Sequence, residues 1–258
     1  MAVIRRDGPV KIQTVVAAEE GHVGLIILDA DLQPFHILCI DIGGIGHDQV
    51  EVIIGKLRVA GKNIAPHRLD AAVIGMDILE STITHPSYTH LVQDICGKLP
   101  DIDNIEIIVN NAGIQEGEVI KTNLEATIKL TEKYITPSIK SIVFIASSSA
   151  TTGSEFPEYV ASKGGIVAYM KNVALRVAKY GATANSISPG GVITPLNSHI
   201  LEDEKLYEAV LDEALLHKWA TAEEIAEFAY FVTVVNKSMT GEDIFIDNGE
   251  KLKSNFIW

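Results

Sequence analysis

Tyr159-Val-Ala-Ser-Lys163 places a phenol and an ammonium four positions apart. On a helix that spacing stacks the two side chains one turn apart on one face. A free phenol is almost wholly protonated at neutral pH. A nearby cation stabilises the phenolate and draws its pKa down, so the tyrosine becomes a usable proton donor or acceptor near neutrality. Taken alone, the same pair reads as an exposed helix face with a snorkelling lysine. Its surroundings favour chemistry. The apolar run 141–146 is followed by Ser147, Ser148 and Ser149. Hydroxyls at the carboxyl end of a parallel strand stand at the binding crevice of an open α/β sheet, where a serine can hold a substrate oxygen beside the phenol. Any single one of the three also reads as a loop that caps the strand.

Two more loops follow apolar runs in the same way. Asn110-Asn111-Ala112-Gly113 closes Ile105–Asn110, and Ser188-Pro189-Gly190-Gly191-Val192-Ile193-Thr194-Pro195 follows Ala184–Ser188. Small residues let backbone approach a flat ligand closely, and Pro with Gly forces a turn. Each loop alone is ordinary; three after successive strands make a ligand crevice.

The elements that must position these loops are short apolar runs alternating with longer amphipathic stretches, the pattern of a parallel sheet covered by helices on both faces. Strands are predicted at 35–41, 72–77, 105–110, 141–146, 184–188 and 243–246, most of them apolar on both faces. Helices are predicted at 48–60, 87–98, 118–134, 158–180, 202–216 and 222–234. Thr221 and Glu224 have capping-box spacing, and Gly181 stands where a glycine closes a helix. The run 10–16 reads as a first strand, and 17–34 has no clear period. The expected architecture is a doubly wound, three-layer αβα Rossmann-type fold in a single domain over 1–258.

The 258 residues carry 21 Lys+Arg against 34 Asp+Glu, a formal charge of −13, with 47% hydrophobic and 21% charged residues. That composition is globular, and its acidity disfavours nucleic acid or an anionic membrane as partner. Cys39 and Cys96 cannot build a disulfide scaffold and read as buried thiols. There is no membrane-length apolar run, and MAVIRRDGPVKI does not read as a signal peptide, so a cytoplasmic setting is expected. The eight histidines lack metal-ligand spacing, so no metal site is expected.

The order NNAG, a Ser after a strand, YxxxK, PGxxxT and a late TGxxxxxDxG resembles the short-chain dehydrogenase/reductase family. The pieces stand at 110–113, 147, 159–163, 189–194 and 240–249. The resemblance implies NAD(H) or NADP(H) as cofactor and hydride transfer with a small alcohol or ketone. It also implies roles. Tyr159 is similar to the general acid/base, Lys163 to the residue that lowers its pKa and binds nicotinamide ribose, and Ser147 to the serine that polarises the carbonyl. Asn123 resembles the helix Asn whose backbone helps hold a relay water. Thr194 resembles the carboxamide contact, with Pro189, Gly190 and Val192 in the same loop. Asn110, Ala112 and Gly113 resemble residues beside the adenosine end, and Asp77 resembles the third-strand Asp that meets adenine. The family's usual assembly implies a homotetramer or homodimer.

The chain departs from the family in places. Ser147 and Tyr159 are 12 apart, one fewer than usual, which leaves Ser148 as an alternative. The stretch from Gly113 to Asn123 is short. The usual TGxxxGxG after the first strand is missing. The preferred register puts that turn at 17–24, with Gly21 and Gly24 beside Glu19 and Glu20, carboxylates that disfavour a pyrophosphate. Asp41 then ends the second strand and selects NAD over NADP by accepting from ribose hydroxyls. A competing register uses Asp41-Ile-Gly-Gly-Ile-Gly46 as the turn but leaves no second strand between 62 and 70. Asp-x-Gly-Gly also resembles a sugar-kinase phosphate loop, without the rest of that pattern. Residues 195–217 occupy the place of the family's substrate lid, and Phe256-Ile257-Trp258 suits a partner surface. An eroded glycine turn leaves a second reading open, a non-catalytic nucleotide-binding or regulatory relative.

Overall fold

The computed structural model describes residues 13–19, 22–28, 35–40, 71–81, 88–194 and 197–252. In chain order its strands are β1 (Gln13–Glu19), β2 (His22–Leu28), β3 (Phe35–Ile40), β4 (Ala71–Asp77), β5 (Tyr88–Val92), β6 (Ile105–Asn110), β7 (Ser141–Ile145), β8 (Thr183–Pro189), β9 (Val192–Ile193), β10 (Ala220–Thr221) and β11 (Asp243–Ile246). Its α-helices are α1 (Thr127–Tyr134), α2 (Ser149–Thr152), α3 (Pro157–Val177), α4 (Ser198–Leu201), α5 (Glu204–Leu211) and α6 (Ala222–Tyr230). A π-helical turn, Ile120–Ala126, leads into α1, and another, Phe231–Val235, extends α6.

Seven strands form one parallel sheet in the order β5-β4-β3-β6-β7-β8-β11. This sheet starts at β3, runs outward to β4 and β5, then returns to β6 on the other side of β3. The strand order reverses between β3 and β6, which is where an open α/β sheet opens its ligand crevice. Side chains alternate between two cores, as period-two strands require. Ile108, Ile142 and Phe144 pack under Leu130 of α1 and Ile166, Met170 and Val173 of α3. Val109, Val143 and Ile187 pack against Ala229 and Val232 on the opposite face. Covering both faces explains why these strands read as continuous apolar runs. This is the three-layer αβα architecture that the alternation predicts.

The amino-terminal register is a correction. Residues 13–28 do not supply the first sheet strand. β1 and β2 form a separate antiparallel hairpin, paired from Gln13↔Leu28 to Glu19↔His22. Gly24 lies inside that hairpin opposite Ala17, so it is not part of a phosphate turn; Gly21 lies outside the described residues. β3 is the central first strand, β4 the second and β5 the third. The second strand absent from 62–70 is Ala71–Asp77. Asp41 and the loop to Gly46, like the predicted helix 48–60, lie outside the described residues. Because β3 leads into that segment, the competing register is the one consistent with the topology.

Two helix predictions are also corrected. Residues 87–98 hold β5, not a helix, since Tyr-Thr-His-Leu-Val is rich in strand formers and pairs in parallel with Val73–Asp77. Residues 202–216 hold only α5, whose N-cap Asp203 accepts from Lys205 N and Leu206 N; the chain leaves the helix after Leu211. The Thr221–Glu224 capping box and the left-handed Gly181 stand where expected. Among the described residues no helix is long and apolar enough to cross a membrane.

Candidate active site

Pro157 starts α3 at a position where the missing N–H costs nothing. The helix therefore carries Tyr159 and Lys163 on one face, with the ammonium nitrogen 5.5 Å from the phenol ring centre. Lys163 is buried, and its Nζ donates to Ile145 O at the end of β7, 2.9 Å away. The approach is possible because residue 113 is glycine: a Cβ there would stand 3.2 Å from Nζ. Burial lowers the Lys163 pKa to about 8, with the Glu155 carboxylate opposing.

The phenol behaves differently from the expectation based on the cation alone. Burial pushes the Tyr159 pKa up, and the Glu155 carboxylate pushes the same way, while hydrogen bonding by Ser147 pulls it down. Without cofactor, burial and the Glu155 carboxylate outweigh the Ser147 hydrogen bond, and Tyr159 stands as a proton donor.

The serines after β7 separate clearly. Ser147 Oγ accepts from Ser149 N–H at 3.2 Å and from Ser149 Oγ at 2.9 Å, and it is the hydroxyl that acts on the phenol. Ser148 instead donates to Glu250 Oε1 at 3.0 Å, and its N–H bonds Pro189 O at 2.7 Å. Ser147 therefore keeps the place beside Tyr159, and Ser148 ties its loop to the loops after β8 and β11.

Asn123 lies fully buried in the π-helical turn. Its carboxamide accepts from Ile114 N and donates to Ile114 O, both at 2.8 Å, and donates to Ser162 Oγ at 3.1 Å. It braces the loop after Gly113 against α3. Asn110 ends β6 opposite Ile40 of β3, at the switch point. Its Oδ1 accepts weakly from Thr131 at 3.4 Å, while its buried Nδ2 has no partner. Ala112 is buried beside it. An unpaired buried amide costs free energy unless a ligand meets it.

Pro189 closes β8. A Cβ on Gly190 would overlap Glu250 and stand 3.0 Å from Asp247 Cα. Val192 lies in β9, which pairs with β10, and Thr194 is buried at the loop's end. Asp77 ends the second strand, not the third, so it is the strand-end acid beside β3. It is buried, and its Oδ1 accepts from Leu79 N at 2.8 Å. The structure thus brings Asn123, Ser147, Tyr159, Lys163, Gly113 and the 189–194 loop together beyond the ends of β6, β7 and β8, with Asn110 at the end of the central strand β6 and Asp77 at the end of β4, across the switch point.

Sequence reasoning missed two carboxylates at this edge, Glu155 and Glu250. Burial raises both pKa values, and each is raised further by neighbouring acids. The available signal was positional: Glu155 precedes Tyr159 by four residues, the interval that drew attention to Lys163.

Gly191 provides a test of the loop. A Cβ there would overlap the Trp219 indole, which itself meets Tyr207 of α5 edge-on at 6.0 Å. Gly191→Ala is expected to cost about 1–3 kcal/mol by overpacking. In thermal melts the midpoint should fall by about 3–10 °C, with a shift in indole emission. An unchanged melt and spectrum would place Trp219 elsewhere.

The chain matches the family described as enoyl-(acyl carrier protein) reductase over residues 65–251. It belongs to the short-chain dehydrogenase/reductase family. Among individual relatives it is similar to the 3-oxoacyl-[acyl-carrier-protein] reductase FabG of Buchnera aphidicola subsp. Acyrthosiphon pisum, 32% identical over 63% of this chain and 72% of the relative. It is also similar to the D-beta-hydroxybutyrate dehydrogenase of Rhizobium meliloti, 31% identical over 56% and 67%. In fold it resembles a 4-hydroxyisoleucine dehydrogenase mutant complexed with NADH and succinate, with a TM-score of 0.64 and 25% identity over 72% of this chain and 90% of the other. Membership makes the chain an oxidoreductase by family.

Proposed function

We propose that this protein transfers hydride between NAD(H) or NADP(H) and the carbinol or carbonyl carbon of a small secondary alcohol or ketone. The observation that carries the reading is the convergence of Ser147, Tyr159 and Lys163 where the loops after β6, β7 and β8 meet. One feature that fits a dinucleotide is Asn110 Nδ2, an unmet buried donor at the switch point; Gly113 lets Lys163 pack close beneath the crevice. The cofactor supplies the hydride and its electron pair. The chain supplies the rest. Ser147 holds the substrate oxygen, Tyr159 gives it a proton, Lys163 provides the positive charge, and Asn123 fixes the loop between them. The protonated phenol of the cofactor-free site suits ketone reduction. Residues 195–217 are the proposed lid, the cell interior the proposed setting, and a homodimer or homotetramer the proposed assembly.

The non-catalytic reading rested on a broken glycine turn at 17–24. With β3 as first strand, the residues that follow it in sequence include Gly43, Gly44 and Gly46, which supports the catalytic reading over the non-catalytic one. The relatives' names make 3-oxoacyl and 3-hydroxyacyl compounds the first substrates to try.

NAD remains the preferred cofactor, with Asp77 in place of Asp41 as the acid that accepts from ribose hydroxyls and repels a 2′-phosphate. Fluorescence titration should show saturable NADH binding tighter than NADPH. Asp77→Ser is expected to weaken NADH about tenfold or more, as loss of a charged hydrogen bond does, and to narrow the gap to NADPH. No saturation with either nucleotide would end the enzymatic reading, and an unchanged preference in the variant would remove Asp77 from the cofactor site.

A further inference from the structure

β5 is the outer strand of the sheet, and it carries a polar pair on one side. Tyr88 and His90 alternate with Thr89, so their side chains leave the strand in the same direction. The phenol oxygen of Tyr88 lies 2.8 Å from His90 Nδ1. His90 Nε2 lies 2.7 Å from Leu79 O, just beyond the end of β4. A carbonyl oxygen only accepts, so Nε2 carries the ring's proton. In the neutral ring Nδ1 is then the acceptor, and the Tyr88 O–H donates to it. The phenol reaches this place because residue 75 is glycine. Gly75 pairs with His90 across the ladder, and a Cβ there would overlap the Tyr88 hydroxyl.

The same residue is held from its other side. Leu79 N–H donates to Asp77 Oδ1 at 2.8 Å. Leu79 is thus fixed at both backbone polar groups, its C=O by His90 and its N–H by Asp77. An anchored N–H in turn fixes the rotation of the carboxylate that accepts from it. Gln93 N–H also donates to Asp77 O at 2.7 Å, which ties the end of β5 to the end of β4. Asp77 is buried and stands across the switch point from Asn110. Its carboxylate keeps a set direction only while Leu79 keeps its place.

We infer that His90, oriented by Tyr88, is a positioning residue that sets the Asp77 carboxylate for the cofactor ribose and so sharpens the choice of NAD over NADP. The inference rests on the reading above, in which Asp77 meets the ribose hydroxyls. His90 acts through Leu79 and Asp77 and not on the nucleotide itself. A carboxylate held at one angle accepts from the ribose hydroxyls and repels a 2′-phosphate at a fixed range. A carboxylate that swings gives up part of each effect, so NADH weakens while NADPH does not. An edge strand also uses polar residues to blunt its unpaired side, and that role alone would leave the choice of nucleotide untouched.

The experiment titrates NADH and NADPH by fluorescence into wild type, Tyr88→Phe, His90→Phe and His90→Gln, and repeats His90→Phe in an Asp77→Ser background. His90→Phe is expected to weaken NADH about fivefold, the worth of one neutral hydrogen bond, with NADPH changed less than about twofold. Tyr88→Phe should lose less in the same direction. His90→Gln should recover most of the affinity, because its amide can still donate to Leu79 O. With acetoacetyl-CoA as substrate, the loss should appear in KM for NADH and not in kcat. In the Asp77→Ser background His90→Phe should cost almost nothing more, since residues acting in one line are not additive. An unchanged ratio of NADH to NADPH affinity in His90→Phe would overturn the inference, whether both affinities hold or both fall. So would a full loss that persists in the Asp77→Ser background. Wild type that prefers NADH beside a normal His90→Phe defeats the positioning role alone. Wild-type preference in Asp77→Ser removes Asp77 and His90 together, and wild type that binds neither nucleotide defeats the function as well.

Discussion

Tyr159→Phe is expected to lower kcat by about three orders of magnitude, within the range for loss of a general acid. NADH affinity should stay within about twofold, because only an oxygen atom is removed. The ring stays at the same place on α3. What disappears is the O–H beside Ser147, and no other described phenol lies next to that hydroxyl. Steady-state rates with acetoacetyl-CoA, paired with an NADH fluorescence titration, separate the two effects. A variant that retains its rate would show that the proton comes from elsewhere and that the Ser147–Tyr159 pairing is incidental. A variant that loses nucleotide binding would show instead that the phenol builds the pocket.

Lys163→Met is expected to lower kcat by about two to three orders of magnitude, as removal of an electrostatic donor does, while making the fold more stable. The lysine's pKa is lowered from 10.5 to about 8 by burial. Between those values the unfolded chain binds more protons than the native one, so wild-type stability rises as pH climbs through that window. At neutral pH the buried charge costs about 3 kcal/mol. Methionine keeps most of the stem and removes the charge, at the loss of one hydrogen bond to Ile145 O worth about 1 kcal/mol. The melting midpoint should rise by a few degrees, about 2–4 °C per kcal/mol, and its alkaline increase should flatten. A lower midpoint in the variant would mean that the ammonium is better solvated than its burial indicates.

The catalytic edge was legible because its signals are short and chemical. Tyr159 and Lys163 needed only helical spacing, and Ser147, Gly113 and Pro189 each followed an apolar run that no helix pattern competes for. Fully buried parallel strands are the easiest elements to see. The amino-terminal half was harder for a matching reason. His22–Leu28 is as apolar as β3, so hydrophobicity could not tell a hairpin from the sheet's first strand; pairing partners decided it. Tyr88–Val92 was hidden because a five-residue strand beside Gln93 and Asp94 also fits a helix's polar face. Once those two shift, Asp77 changes from third-strand to second-strand acid with no change in its own residue. Glu155 was passed over because its one signal is its place four residues before Tyr159, and that spacing does not encode the left-handed backbone it adopts ahead of α3.

The carboxamide of Asn123 answers both the N–H and the C=O of Ile114, as a neighbouring peptide unit in a strand would. It thus serves as a surrogate backbone, one side chain completing a ladder that has no strand on that side. Single-nucleotide changes lead from asparagine to aspartate, serine, threonine, isoleucine, histidine, lysine or tyrosine. None offers a planar amide's acceptor and donor at that reach. Every one-step neighbour of this codon therefore leaves at least one half of the Ile114 peptide unanswered, and the position is brittle to mutation even though it need never touch a substrate.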